Sequence, residues 1–417
     1  MRYYAVTNSW TGGQYSLYRV SLGGYLFVHF LQLLPWSEEL FSSMGMLARG
    51  SNSPLLHLFP NILALVDSPH FIMGFMASAG ISSIFLIFGY KDRLAALWIW
   101  YVLACLFGRN PVIANPSLPY VGWMLLAHLF IPAAPYGSLE ARGRINPSGD
   151  WKMPKLIFTA AWIILAITYS YSGYTKLLSP SWVEGENINY VINNPLARDY
   201  FLRDFFLWLP PLFLKILTWT VLYVELLFAP LSLFSRLRPI LWLAMLLIQF
   251  GFAFLLNFFD LTVAMLLFHM LTFDPAWLGQ KNQRDKEILF YDGDCGLCHR
   301  VIRFLLAEDR KKLFQFSPLK GSRFEELFSQ EQRLKFPDSI VLLTNNGQTR
   351  TSSSAVVYLL SHLGGLWCIL GAILWLTPVF IRDAGYNFVG KIRLNLFKSP
   401  SSSCPIVSEN LRDRFLK

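Results

Sequence analysis

The chain has 417 residues, 54% hydrophobic and only 15% charged, where a soluble domain carries about 25% charged residues. Its net charge is +10, but the basic residues sit in short loops between apolar runs, which points to membrane insertion and away from nucleic acid. Five cysteines (Cys105, Cys295, Cys298, Cys368 and Cys404) are too few, and odd in number, for a disulfide scaffold.

The first apolar run begins near Tyr15 without a small-residue cleavage site after it, so it reads as a retained span and not a signal peptide. A span needs roughly 20 apolar residues. Runs at 16–35, 70–89, 93–108, 118–134, 155–174, 211–233, 238–257 and 259–274 are candidates. Segment 54–66 is shorter and contains Pro60; a tilted span, a re-entrant piece and an interfacial helix are all open. A multi-pass α-helical membrane bundle of eight or nine spans is therefore expected over residues 1–275. Cys105 and Cys368 lie in apolar surroundings and read as packing residues.

Basic residues give the bundle an orientation. Lys91 and Arg93, then Arg142, Arg144, Lys152 and Lys155, then Arg236 and Arg238, then Lys281, Arg284 and Lys286 share one side if each run between them crosses once. The positive-inside rule places that side, and with it the C-terminal domain, in the cytoplasm. Loop 176–210 is long for such a bundle. Pro195 and its charges (Glu184, Glu186, Arg198, Asp199, Arg203, Asp204) predict a structured cap.

Residues 276–286 read as a polar linker, after which the apolar period changes. Strands are predicted at Glu287–Tyr291, Leu313–Phe316, Ser339–Leu343 and Gln348–Ser352, the last two joined by the turn signal Asn346-Gly347. Helices are predicted at 296–308, 355–363, 366–376 and 380–396. The order βαβ then ββα predicts a small α/β, thioredoxin-like domain over 287–417. The apolar helix 366–376 is too short to span a membrane by itself.

Within that domain, Tyr291-Asp292-Gly293-Asp294-Cys295-Gly296-Leu297-Cys298 runs strand, turn, helix. The first cysteine then sits at a helix N-terminus, where free N–H groups and the helix dipole favour an anion. Its thiol pKa is expected to fall and its thiolate to attack. Cys298, one turn later, would resolve the mixed disulfide. A zinc half-site completed by His299 and Cys404, and a structural pair, are the other readings of the same residues.

Asp294-Cys295-x-x-Cys298 after Asp292-Gly293 resembles the DCC family of thiol-disulfide oxidoreductase-like proteins. Further matches are Pro337-Asp338-Ser339-Ile340-Val341, Ser354-Ala355, Pro378, Arg382-Asp383-Ala384, Tyr386 and Cys404-Pro405. The resemblance spans about 285–410 and implies a thioredoxin-like fold. Pro337 then stands where thioredoxins carry a cis-proline, with a trans strand-start proline as the other reading. Cys404 is a third thiol or a tail residue.

Ionisable residues inside apolar runs are costly and mark candidate sites. Arg19, His128, Glu225 and His269 are such residues, and Lys176 ends a run. Either histidine could serve only an interhelical hydrogen bond, and Arg19 and Lys176 could snorkel. Glu225 needs a partner, for which Arg19 and Lys176 are candidates. Gly173-x-x-Lys176-Leu177 with Trp182-Val183-Glu184-Gly185, and Arg19 with Gly23, resemble the HTTM (vitamin K-dependent gamma-carboxylase-like) family over about 10–275. That resemblance implies a quinol-deprotonating base at Lys176. The chain departs from it at Asn115-Pro116, where the carboxylase has Asn-His, and in the spacing from Lys176 to Trp182.

Together these features predict a membrane-tethered thiol-disulfide oxidoreductase. Its partners are the lipid bilayer and a thiol or disulfide substrate, and a quinone or quinol is the one cofactor considered. A carboxylase- or epoxidase-like enzyme with an accessory thiol domain, and a non-enzymatic scaffold or immunity-type protein, are the alternatives. No GxGxxG or P-loop marks a nucleotide site.

Overall fold

A computed structural model describes residues 8–113, 115–134, 137–141, 151–279, 286–337, 339–396 and 409–416. The expectations placed on Arg142, Arg144, Lys281, Arg284, Asp338, Cys404 and Pro405 lie outside the described residues. The chain divides into two compact units. One comprises Tyr18–Ile131 and Pro154–Phe273; the other comprises Asn8–Leu17 with the described parts of Pro132–Met153 and Asp274–Lys417.

The first unit is helical. Its principal helices are α1 (Gly12–Leu33, whose first residues belong to the second unit), α2 (Pro69–Phe88), α3 (Asp92–Arg109), α4 (Leu118–Phe130), α5 (Lys155–Leu177), α6 (Pro211–Leu226), α7 (Arg238–Leu255) and α8 (Phe259–Thr272). Proline occupies the first turn of α2, α4, α6 and α7, where a missing N–H costs nothing and φ is already helical. Gly89, at φ 61°, closes α2 in the left-handed conformation.

Among the described residues, α2, α5 and α7 are long and apolar enough to cross a membrane, and up to five spans result if two bent helix pairs each count as one. The eight or nine expected spans are not matched by helices of that kind. The run 211–233 breaks after Leu226, and Phe228–Ser232 forms a separate short helix. Pro230 would deprive the carbonyl of Leu226 of its partner in a continuous helix. Helix α6 also forms a pair with Phe201–Trp208, bent by 109°. Helices α4 and α8 have 13 and 14 residues, below a full span. Segment 54–66 contains no α-helix, only the 3-10 turn Ile62–Ala64. Loop 176–210 holds three short helices, Pro180–Val183, Asn187–Ile192 and Phe201–Trp208.

The second unit is built on a small mixed sheet. Strands β1 (Glu287–Tyr291), β2 (Phe314–Pro318), β3 (Val341–Leu343) and β4 (Thr349–Thr351) lie in the order β2-β1-β3-β4. Strand β1 runs parallel to β2 and antiparallel to β3. The connection from β1 to β2 is α9 (Gly296–Glu308), and the hairpin β3-β4 leads into α10 (Ser352–Leu363), α11 (Gly365–Leu376) and α12 (Val379–Leu396). The expected strands and helices occur in the expected order, with strand ends shifted by one or two residues, and two short helices that were not expected, Ser322–Leu327 and Gln330–Lys335, lie between β2 and β3. The core packs Leu289, Tyr291, Ile302, Leu305, Phe316 and Leu342 with both cysteines of the motif.

Two buried acids at the end of α9 fasten the chain's remote segments to this sheet. Glu308 accepts hydrogen bonds from the Thr11 hydroxyl, the Gly13 N–H and the Trp367 indole. Asp309 accepts from the N–H groups of Leu313 and Phe314 and pairs with Arg414 at 2.6 Å. Arg414 also donates to the Phe314 carbonyl, and its own carbonyl accepts from the Phe316 N–H at 2.8 Å.

A glycine allows a close helix approach in the first unit. A Cβ on Gly173 of α5 would overlap the backbone of Leu226 and lie 2.9 Å from the carbonyl carbon of Glu225 in α6. Gly173→Ala should therefore lower thermal stability in detergent by about 1–3 kcal/mol through overpacking. Gly24→Ala, where a Cβ meets nothing within 4 Å, should instead be neutral or stabilising by about 0.5–1 kcal/mol. Equal effects at the two positions would contradict this packing.

Candidate functional site

The turn between β1 and α9 is shaped by its own polar groups. Asp292 Oδ1 accepts from the Asp294 N–H at 2.9 Å, and the Asp292 carbonyl accepts from the Cys295 N–H at 3.3 Å. An aspartate folding back on the chain two residues later is the Asx turn favoured at such corners. His299 Nε2 lies 2.9 Å from the Gly293 carbonyl, and its ring meets Tyr291 edge-on. Lys320, 2.8 Å from Asp294, holds the Asp294 carboxyl below the usual carboxylate range.

Cys295 is the last extended residue before α9, at φ −100° and ψ 117°, and its carbonyl accepts the helical bond from the His299 N–H. It therefore occupies the N-cap position, and Cys298 the third position of the helix. Both thiols are free and buried in the same core cluster. Burial, then the neighbouring Cys295, push the Cys298 thiol up to about 12. The backbone at Asp292 and the Arg393 guanidinium pull the other way. Arg393 comes from α12 and lies 3.8 Å from the Asp292 carboxylate. A thiol held up in this way keeps its proton at neutral pH.

One feature departs from the motif's simple reading. Cys295 is 1% exposed and Cys298 7%, so the dithiol is closed over and a protein disulfide needs an opening to reach it. Pro337 also differs: among the described residues no peptide bond is cis, so Pro337 is a trans proline preceding β3. Other residues of the C-terminal motifs act as ties. Asp383 accepts from the Ser353 N–H at 3.3 Å, Arg382 donates to the Ser354 hydroxyl, and Tyr386 accepts from the Ile340 N–H. They hold α12 against the start of α10 and the entry to β3. Among the described residues no group of three or more histidine, cysteine, aspartate or glutamate side chains is placed to hold a metal ion.

In the first unit, Lys176 of α5 reaches Glu225 of α6, donates to the Ser172 hydroxyl at 3.0 Å and lies 4.7 Å from the centre of the Trp182 ring. Carboxylate and indole face both attract a cation. The other residues expected near them lie elsewhere. Arg19 donates to the carbonyls of Leu86 and Ile87 and stands 3.9 Å from Asp92, so it is not the partner of Glu225. Glu184 is exposed. His269 lies 3.2 Å from the Tyr169 hydroxyl and 2.9 Å from the Met265 carbonyl, and Gln249 donates to the same hydroxyl. That is the interhelical hydrogen-bond reading of the histidine.

A further constellation escaped the sequence reading. His29 Nδ1 lies 2.9 Å from Asp260, and Asn115 donates to the same carboxylate. All three line a cavity of about 150 Å³ whose other walls include Leu103, Phe107 and Leu118. Asp260 stands at the start of an apolar run, where the cost of a carboxylate was the available signal. Neither Lys176 nor Glu225 lines this cavity.

The family match lies in the second unit. The chain is 29% identical over 136 residues to the uncharacterized protein YuxK of Bacillus subtilis, a match covering 32% of this chain and 96% of that protein. It is 28% identical over 125 residues to a chloroplastic DCC family protein of Arabidopsis thaliana, covering 30% and 72%. No solved structure matches the chain significantly. Residues 289–399, which hold the end of β1, the dithiol turn, β2 to β4 and α12, match the family model of DCC1-like thiol-disulfide oxidoreductases, and the C-terminal end of the chain accordingly carries a DCC1-like domain.

Proposed function

We propose that the protein is a membrane-tethered thiol-disulfide oxidoreductase that works through Cys295 and Cys298. The observation that carries this reading is the N-cap position of Cys295 with Cys298 one turn away, buried beside it and held protonated by that burial. The Cys295 thiolate attacks a substrate disulfide, forms a mixed disulfide and expels one thiolate of the substrate. Cys298 gives up its proton as it attacks the Cys295 sulfur, and the second substrate thiolate leaves. Both substrate thiolates end as thiols, and the enzyme holds a Cys295–Cys298 disulfide. Two electrons have moved from the dithiol to the substrate; the reverse sequence oxidises a substrate dithiol.

A lipid-soluble quinone is the proposed second redox partner. Reaction of the dithiol with a quinone gives disulfide and quinol, with two electrons and two protons transferred. The cavity beside His29 and Asp260 favours that place for a ring with polar ends. The Lys176–Glu225 pair beside the Trp182 ring supports the HTTM-like alternative, in which Lys176 handles a quinol proton. The cytoplasmic placement of the second unit remains part of the proposal and rests on loop charge.

Three outcomes are expected. In liposomes containing a quinone, the wild-type protein should couple dithiol oxidation to quinol formation, and Cys295→Ser should abolish it; intact turnover in that variant would remove the dithiol from the mechanism. Lys176→Ala should leave that turnover largely unchanged, whereas Asp260→Asn should weaken it; the opposite pattern would favour the HTTM-like alternative. In the Cys295→Ser variant, Cys298 should still alkylate slowly at pH 8 and faster as pH rises, because burial, the largest cause of its raised pKa, persists without Cys295. Rapid alkylation at pH 8 would mean that Cys298 is itself a ready nucleophile.

A further inference from the structure

Helix α12 is amphipathic in the inverted sense. Its polar residues Arg382, Asp383, Tyr386 and Arg393 all face the sheet unit, where they contact Ser354, Ser353, Ile340 and Asp292. Its apolar residues face outward: Phe380 is 75% exposed, and Val379, Ile381 and Phe388 are exposed too. Helix α11 continues this surface with Ile373, Trp375 and Leu376. A helix against water shows the opposite arrangement, with its apolar stripe inward.

Composition says what covers this surface. Taken together, α11 and α12 are long and apolar enough to pass as one membrane span, yet they are bent by 113° at Thr377-Pro378. Pro378 sets that corner, because the residue before a proline is pushed out of helical geometry. A bent apolar pair with its tip outward is the shape of a wedge that enters a bilayer and returns without crossing it. Trp375 has the amphipathic ring that favours the membrane interface. Farther along α12 the exposed residues include Asn387 beside Phe388 and then Lys391, and a lysine stem can bury in the acyl boundary with its ammonium among anionic headgroups. The same polypeptide carries three helices suited to span a membrane, so a bilayer is the apolar phase it meets at high effective concentration.

We propose that the α11–α12 corner is a membrane-inserting wedge, with Trp375 to Ile381 buried in the acyl boundary of a lipid bilayer. The thiol unit is then docked on the membrane as well as tethered to it. Arg393 of the same helix α12 contacts Asp292 in the dithiol turn, so the wedge and the redox site share one rigid element. The wedge does not depend on the redox reading and stands if the dithiol proves inert.

The test uses the full chain in liposomes of mixed neutral and anionic phospholipid, with a fluorescent amino acid in place of Phe380. A second protein carries the same probe in place of Leu334, an exposed residue of the sheet unit. The Phe380 probe should be quenched by doxyl groups on the lipid acyl chains and protected from iodide, and the Leu334 probe should show the reverse. Iodide quenching at Phe380 would overturn the proposal. Protection from both quenchers at Phe380 would overturn it as well, because the surface would then be covered by protein, either this chain or a second copy.

Discussion

The turn at Asp292 is the constraint on which the functional account depends. A strand that ends in Asp292-Gly293-Asp294 must reverse into a helix at the next residue, and the Asp292 carboxylate fixes that reversal by accepting the Asp294 N–H. The first cysteine is thereby placed at the helix start and the second on the same end one turn later. The turn is supported from three other elements. His299 reaches back to Gly293, Lys320 meets Asp294, and Arg393 meets Asp292. Moving the turn would move both sulfurs, and neither helix dipole nor partner thiol would then act on them.

Several buried charges in both units are met by an opposite charge or by several hydrogen bonds, as burial requires. Lys176 meets Glu225, Arg19 meets Asp92 and two carbonyls, and Asp260 meets His29 and Asn115. Asp309 meets Arg414, while Glu308 is satisfied by donors from Thr11, Gly13 and Trp367. Most of these pairs are structural clamps. The His29–Asp260 pair differs in facing an open cavity, which is why it and not the Lys176 pair is the stronger candidate for ligand chemistry.

The sheet unit was largely legible in the sequence. Short apolar strands, the Asn346-Gly347 turn and the strand-turn-helix around Cys295 are local signals, and the local chain decides them. The span count was less legible. Apolar runs such as 211–233 look continuous, but a single proline at Pro230 divides that run. Burial of the dithiol was not legible at all, because it is imposed by residues distant in sequence, such as Ile340 and Tyr386. The fastening of Thr11 and Gly13 to Glu308, nearly 300 positions apart, has no sequence signature. The trans bond at Pro337 settles an alternative that the motif left open. Helix α11 looked too short to matter to a membrane, and by itself it is; only its pairing with α12 makes an apolar element of spanning size.

The central claim, that Cys295 and Cys298 form a working two-electron centre, is tested most directly by a redox titration of the purified full-length protein in detergent. The protein is poised in glutathione buffers, free thiols are alkylated, and the mass shift on each cysteine is read. The account expects both thiols to disappear together in one transition within the biological range of potentials, and that transition to be absent in Cys298→Ser. Thiols that stay reduced at every potential, or that titrate independently, would contradict it.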